Sequence, residues 1–285
     1  MNKADLVLTG GIVVTMNDDF DLFDPGAVAI RGSDIAAVGS ADEIDAVWQA
    51  EETVECQGYA LIPGLINAHT HAPMTLVRAL ADDLRLDVWL MGYMMPVERE
   101  FVRPDFCWLG TKLACAEMIR CGTTCFADMY YFEEAVADAA AQAGMRAVCA
   151  QSILKFPAPD APSYDSGLQL AHDFIARWKG HDLIVPAIGP HASFTSTPEL
   201  LQACAELALE YDIPLHIHIA ETAQEVKDHR ARYGMPIVPW VKKQGIFEAR
   251  VTAAHCVHLD RGELQTLLHH GVGVAHNPTS NLKLG

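Results

Sequence analysis

The chain has 285 residues, 51% of them hydrophobic, and a formal net charge of −17. That length fits one large domain, alone or with a small one, and so acidic a surface disfavours nucleic acid and anionic membrane as partners. No run of about 18 apolar residues occurs, so no transmembrane helix is expected.

The N-terminus, MNKADLVLTGGIVVTMNDDF, alternates and then turns acidic, which reads as strands rather than a signal peptide. Short β-prone runs follow at Ala4–Thr9, Ile12–Met16, Ala27–Arg31 and Ile35–Val38, separated by Gly, Asp and Pro turns. Residues 1–58 therefore read as a small β-module. From 59 to 285 short apolar runs alternate with segments of helical period. The runs are Ala60–Ala68, Thr123–Met129, Arg146–Ile153, Ile184–Pro190, Leu215–Ala220, Val251–His255 and Val272–His276. Helices are expected at Arg103–Arg120, at Glu133–Ala143 before Gly144, and at Pro198–Tyr211 behind a Ser196-Thr197-Pro198 cap. Repeated strand–helix alternation predicts an α/β fold with a parallel sheet, most simply a (β/α)8 barrel of which seven strands are present. The eight cysteines form no CxxC pair and read as buried thiols of a reducing cytoplasm.

Most of the expected barrel strands end in a residue fit for chemistry. These are His69-Thr70-His71, His191, His218 with Glu221 beyond it, His255 and His276. In a parallel barrel the C-terminal strand ends share one face, where such enzymes place their sites. His69 and His71, two apart on a strand, face one side and can grip one ion. In His216-Ile217-His218 the second is the better ligand, and His216 reads as packed or hydrogen-bonded. Glu221 beside a metal can shuttle protons, and it also suits the first turn of the next helix. His255 can ligate metal or orient water, while Cys256 belongs to the packing layer. His172, His181, His229, His258, His269 and His270 read as surface residues. Glu98 by itself reads as a solvated acid at a helix end, and Trp89 as core.

The segments PGLINAHTHAPMTLVRALADDLRLDVWL, GPHASF, HIHIAET, AAHCVHL and HNPTSNLKLG together resemble the amidohydrolase superfamily. Within it they are similar to the branch of 5-methylthioadenosine/S-adenosylhomocysteine deaminases and s-triazine (atrazine-type) hydrolases. The resemblance implies a distorted (β/α)8 barrel with a small β-sandwich. It implies one Zn²⁺, or Fe²⁺, on His69, His71 and His218, with Glu221 as proton shuttle and His255 polarising the attacking water. It also implies that Trp89 packs against a nucleoside, Glu98 binds ribose hydroxyls and His191 contacts the substrate. The expected partner is a small molecule, and the expected assembly a cytoplasmic homo-oligomer. The expected reaction is hydrolytic deamination of an adenosine-type nucleoside, with s-triazine hydrolysis and guanine or cytosine deamination as alternatives. Two departures stand out. Gln151 occupies the place of an arginine in some adenosyl deaminases. The chain also stops, in what reads as a loop, before the family's strand-8 aspartate, so a C-terminally truncated enzyme is expected, with a non-catalytic fragment as the reading of a different class.

Overall fold

The computed structural model describes residues 1–284 and divides into two units, Met1–Leu65 and Ile66–Gly285. In the first unit, β1 (Asn2–Val14) lies between β2 (Leu22–Arg31), antiparallel to it, and β4 (Trp48–Glu55), parallel to it. β3 (Asp34–Ser40) pairs the outer edge of β2, and β5 (Ala60–Leu61) pairs the far end of β1. One helix, α1 (Ala41–Val47), is started by a Ser40–Glu43 capping box and buries Ile44 against Ala4, Val7, Ala27 and Ala29.

Two expectations for this region are corrected. Ala4–Thr9 and Ile12–Met16 are not two strands: one strand runs through both and ends at Val14, because Gly10-Gly11 makes a register shift in the ladder instead of a turn; Gly10 sits at φ +82°. The run Ala60–Ala68 is not one strand either. It breaks at Ile62-Pro63-Gly64 into β5 and β6 (Leu65–Thr70), since proline has no N–H for a ladder.

The second unit is a seven-stranded parallel barrel sheet, ordered β12-β11-β10-β9-β8-β7-β6. Its strands after β6 are β7 (Thr123–Tyr130), β8 (Arg146–Ile153), β9 (Ile184–Pro190), β10 (Leu215–Ile219), β11 (Val251–His255) and β12 (Gly273–Ala275). Every residue of β10 is buried, as expected of a strand covered on both faces. Helices connect the strands. After β6 come a 3-10 turn (Ala72–Val77), α2 (Leu86–Val88), a π-helical turn (Trp89–Met94), α3 (Met95–Phe101) and α4 (Pro104–Arg120). Then follow α5 (Glu133–Gln142), α6 (Tyr164–Trp178), α7 (Pro198–Tyr211), α8 (Ala223–Tyr233), α9 (Ile237–Lys243), α10 (Arg261–His269) and α11 (Pro278–Leu284). The last of these replaces the loop expected at Asn281–Leu284.

The starts of these helices follow from their sequences. Proline occupies the first turn of α4 and α7, where its missing N–H costs nothing. Thr197 caps α7 by accepting the Leu200 N–H at 3.3 Å, and Asp260 and Glu263 box the start of α10. The larger core packs Leu200, Leu201 and Cys204 of α7 and Val238 and Val241 of α9 on Leu215, Ile217 and Ile219 of β10. A second core joins Cys107 and Cys115 of α4 to Phe126 of β7 and Val136 and Ala140 of α5. Among the described residues no helix is long and apolar enough to cross a membrane.

Candidate active site

The parallel order of β6 to β11 brings their C-terminal ends to one face, and with them the candidate residues. His69, His71, Trp89, Glu98, His191, His218, Glu221 and His255 all line one cavity of about 770 Å³. At its base the imidazoles of β6, β9, β10 and β11 touch. Ring centroids are 4.8 Å apart for His69–His218, 4.9 Å for His69–His71, 5.4 Å for His71–His218, and 5.5 Å for His69–His255. One donor atom each from His69, His218 and His255 lie within 4.8 Å of one another.

The surroundings settle which nitrogen each ring presents. His71 Nδ1–H donates to the Met129 carbonyl (2.5 Å), His218 Nδ1–H to the His191 carbonyl (2.8 Å), and His255 Nδ1–H to Asn281 Oδ1 (2.9 Å). Each of these leaves Nε2 as the free acceptor. His69 Nδ1 lies 2.9 Å from His216 Nε2; with His216 as acceptor, His69 also presents Nε2. His216 is therefore hydrogen-bonded behind His69.

Burial holds the rings of His69, His71, His191, His216, His218 and His255 below the ordinary imidazole range, with His191 and His216 at about 3. Neutral imidazoles with a fixed Nδ1–H are the form that ligates a metal. A divalent zinc-type ion, which favours nitrogen donors, fits this set. The backbone at β11's end is strained, with His255 at φ +73° and Cys256 at φ +52°. That kink turns His255 to the cavity and leaves Cys256 against the apolar core.

Glu221 is largely buried, and its Oε1 lies 3.4 Å from His255 Nε2. Burial, with Glu225 nearby, pushes its carboxyl up to about 7. Its backbone N–H donates to Glu225 Oε2 at 2.9 Å, which ties it to the first turn of α8. A carboxyl poised near neutrality can both take and give a proton. His191 Nδ1 is 3.0 Å from Thr195 Oγ1.

Glu98 is not the solvated acid its isolated sequence context suggests. It lies within α3, is 5% exposed, and accepts the Tyr130 hydroxyl at 2.8 Å; burial raises it to about 7. Trp89 is half-buried on the cavity wall. His276 is exposed, next to Asn281. Gln151 is buried off the cavity wall, its Nε2 donating to Asp160 Oδ2 at 2.8 Å. His229, expected at the surface, packs between Tyr233 and Trp240 and is 5% exposed; His258 and His270 are half-buried. Sequence reasoning also passed over Tyr130, Asn281 and Asp128. Only Asp128 carried a signal, as an acid inside an apolar strand.

A 5-methylthioadenosine/S-adenosylhomocysteine deaminase from Syntrophobacter fumaroxidans is 47% identical over 283 residues, which is 99% of this chain and 64% of that protein. The chain thus spans less than two thirds of that relative's length. The solved structure of an adenosine deaminase from Xanthomonas campestris with bound zinc superposes with a TM-score of 0.96 at 38% identity, over 99% of this chain and 64% of the other. Atrazine chlorohydrolase TrzN from Arthrobacter aurescens TC1, complexed with zinc, gives a TM-score of 0.88 at 25% identity over 98% and 67%. The sequence profile of the amidohydrolase family matches residues 60–285, and the chain belongs to that family.

Proposed function

We propose that the chain carries the site of a metal-dependent hydrolytic deaminase. Its substrate would be an adenosine-type nucleoside, 5-methylthioadenosine or S-adenosylhomocysteine, from which the purine amino group leaves as ammonia. The observation that supports this most is the convergence of donor atoms of His69, His218 and His255 within 4.8 Å of one another, in the cavity that His71 also lines, beside a buried, near-neutral glutamic acid. His69, His71 and His218 would hold one divalent ion, zinc first and iron second. Such an ion, when bound, makes water acidic enough to act as a nucleophile near neutral pH. Glu221 takes one proton from the attacking water to the purine ring nitrogen, then carries the second, from the hydroxyl now on the ring carbon, to the departing amine. His255, fixed through Asn281, orients that water toward the ring carbon. Trp89 packs against the nucleoside, the Glu98 carboxylate accepts the ribose hydroxyls, and His191 contacts the substrate.

The adenosyl deaminase reading is preferred to triazine hydrolysis because the relative with that name is 47% identical, against 25% for the atrazine chlorohydrolase. All eight cysteines are free thiols, which suits a cytoplasmic enzyme. The test is ammonia release by the zinc-loaded protein from 5-methylthioadenosine, S-adenosylhomocysteine, guanine and a chlorotriazine. Ammonia from the two adenosyl compounds is the expected result. Ammonia from guanine alone, chloride from the triazine alone, or no product would overturn the proposal.

A further inference from the structure

Beneath the candidate site lie two acidic side chains that the proposed chemistry does not use. Asp128 of β7 and Glu133 at the start of α5 are both fully buried. Each commits one oxygen to a backbone amide. Asp128 Oδ1 accepts the Ala72 N–H at 2.5 Å, one residue beyond His71, and Glu133 Oε1 accepts the Tyr130 N–H at 2.7 Å. Their other oxygens, Asp128 Oδ2 and Glu133 Oε2, are sealed from solvent and meet no donor. The two carboxyls are neighbours, within hydrogen-bonding reach of each other if one of them carries a proton. The Cys149 thiol beside Glu133 is only a weak donor.

Two ionised carboxylates cannot make that contact. Both would be acceptors, and their charges would repel in an apolar interior. A hydrogen bond between them requires one proton. Burial acts in the same direction, holding both carboxyls above their ordinary range.

We propose that Asp128 and Glu133 share one proton and together act as positioning residues for the segment carrying His71. The segment is held at two adjacent points. Asp128 grips Ala72, and the next residue, Met129, accepts the His71 ring N–H at 2.5 Å. Glu133 anchors the backbone of Tyr130, whose hydroxyl holds Glu98 at 2.8 Å. The shared proton thus couples the ends of β6 and β7 and reaches two walls of the cavity. The consequence for metal rests on the proposed role of His71 as a ligand; the shared proton does not.

An amide replacing one acid tests the pair, because it keeps both the shape and the single negative charge. In Asp128→Asn the amide oxygen still accepts from Ala72 and its NH2 donates to ionised Glu133. In Glu133→Gln the arrangement is mirrored. Either single variant is expected to melt within about 2 °C of the wild type. The double variant sets NH2 against NH2 and is expected to melt roughly 5–10 °C lower. Its zinc affinity, measured by titration, should fall roughly 10–100-fold, as should that of Asp128→Ala, with Asp128→Asn restoring it. A double variant as stable as the singles, or singles as unstable as the double, would overturn the shared proton. Undiminished zinc affinity in Asp128→Ala would overturn the positioning role. Failure of the wild type to bind zinc would sink the ligand reading instead, and the four melting temperatures would still decide the shared proton.

Discussion

Gly110 sets how closely α4 approaches the turn that follows His71. A Cβ at this position would lie 2.4 Å from the Pro73 carbonyl oxygen and 2.8 Å from Pro73 Cα. Both are backbone atoms, so no rotamer change relieves the overlap. The turn must withdraw by about 1 Å to restore an ordinary contact of roughly 3.5 Å. In a solvent-facing helix, Gly→Ala gains about 1 kcal/mol from propensity. At this buried position overpacking costs about 1–3 kcal/mol, and a backbone overlap this deep belongs at the upper end. The clash prevails, with a net loss of roughly 2 kcal/mol and a fall in Tm of about 4–8 °C for a unit of this size. Pro73 lies two residues past His71, so the same shift displaces a candidate ligand, and zinc affinity should drop by about tenfold or more. Calorimetry and zinc titration of Gly110→Ala measure both. A higher Tm with unchanged zinc affinity would show that propensity prevails and that α4 does not hold this turn in place.

Other outcomes follow from the same geometry. Glu221→Gln should keep its zinc and lose roughly 10²–10⁴-fold in kcat; near-normal turnover would exclude the proton shuttle. Glu98, raised by burial to about 7, is protonated below that pH and ionised above it. The hydroxyl-accepting form therefore grows about tenfold from pH 6 to pH 8. Substrate affinity should strengthen over that range and lose this dependence in Glu98→Gln; identical profiles in the two proteins would refute the role. Burial pushes the Cys107, Cys115, Cys149 and Cys204 thiols up, while Cys121 is exposed. A thiol reagent at neutral pH should modify Cys121 first and leave those four untouched in the folded protein, as peptide mapping would show.

The barrel was legible because its strands β8 to β11 are mostly buried and read as largely apolar runs. Arg146–Ile153, Ile184–Pro190 and Val251–His255 begin and end where their composition says they should. β4 was not legible. Its sequence, WQAEETVE, is mostly exposed and polar, and it is a strand because β1 offers it a parallel edge. The polar contacts under the site were hidden for a different reason. Glu98 in PVERE resembles any acid near a helix end until Tyr130, thirty-two residues away, is seen to donate to it. Likewise HIHIAET marks His216 as packed or hydrogen-bonded but does not say that its partner is His69; the 2.9 Å contact spans 147 positions. Strand-end histidines could be found by pattern, whereas what fixes their tautomers is long-range, through two backbone carbonyls and two side chains.

The most direct test of the metal centre is the zinc content of the purified wild-type chain and its His69→Ala variant, measured by elemental mass spectrometry after dialysis against a zinc buffer. About one zinc per wild-type chain, and none in the variant, is the expected result. Equal zinc in both proteins, or none in the wild type, would contradict it.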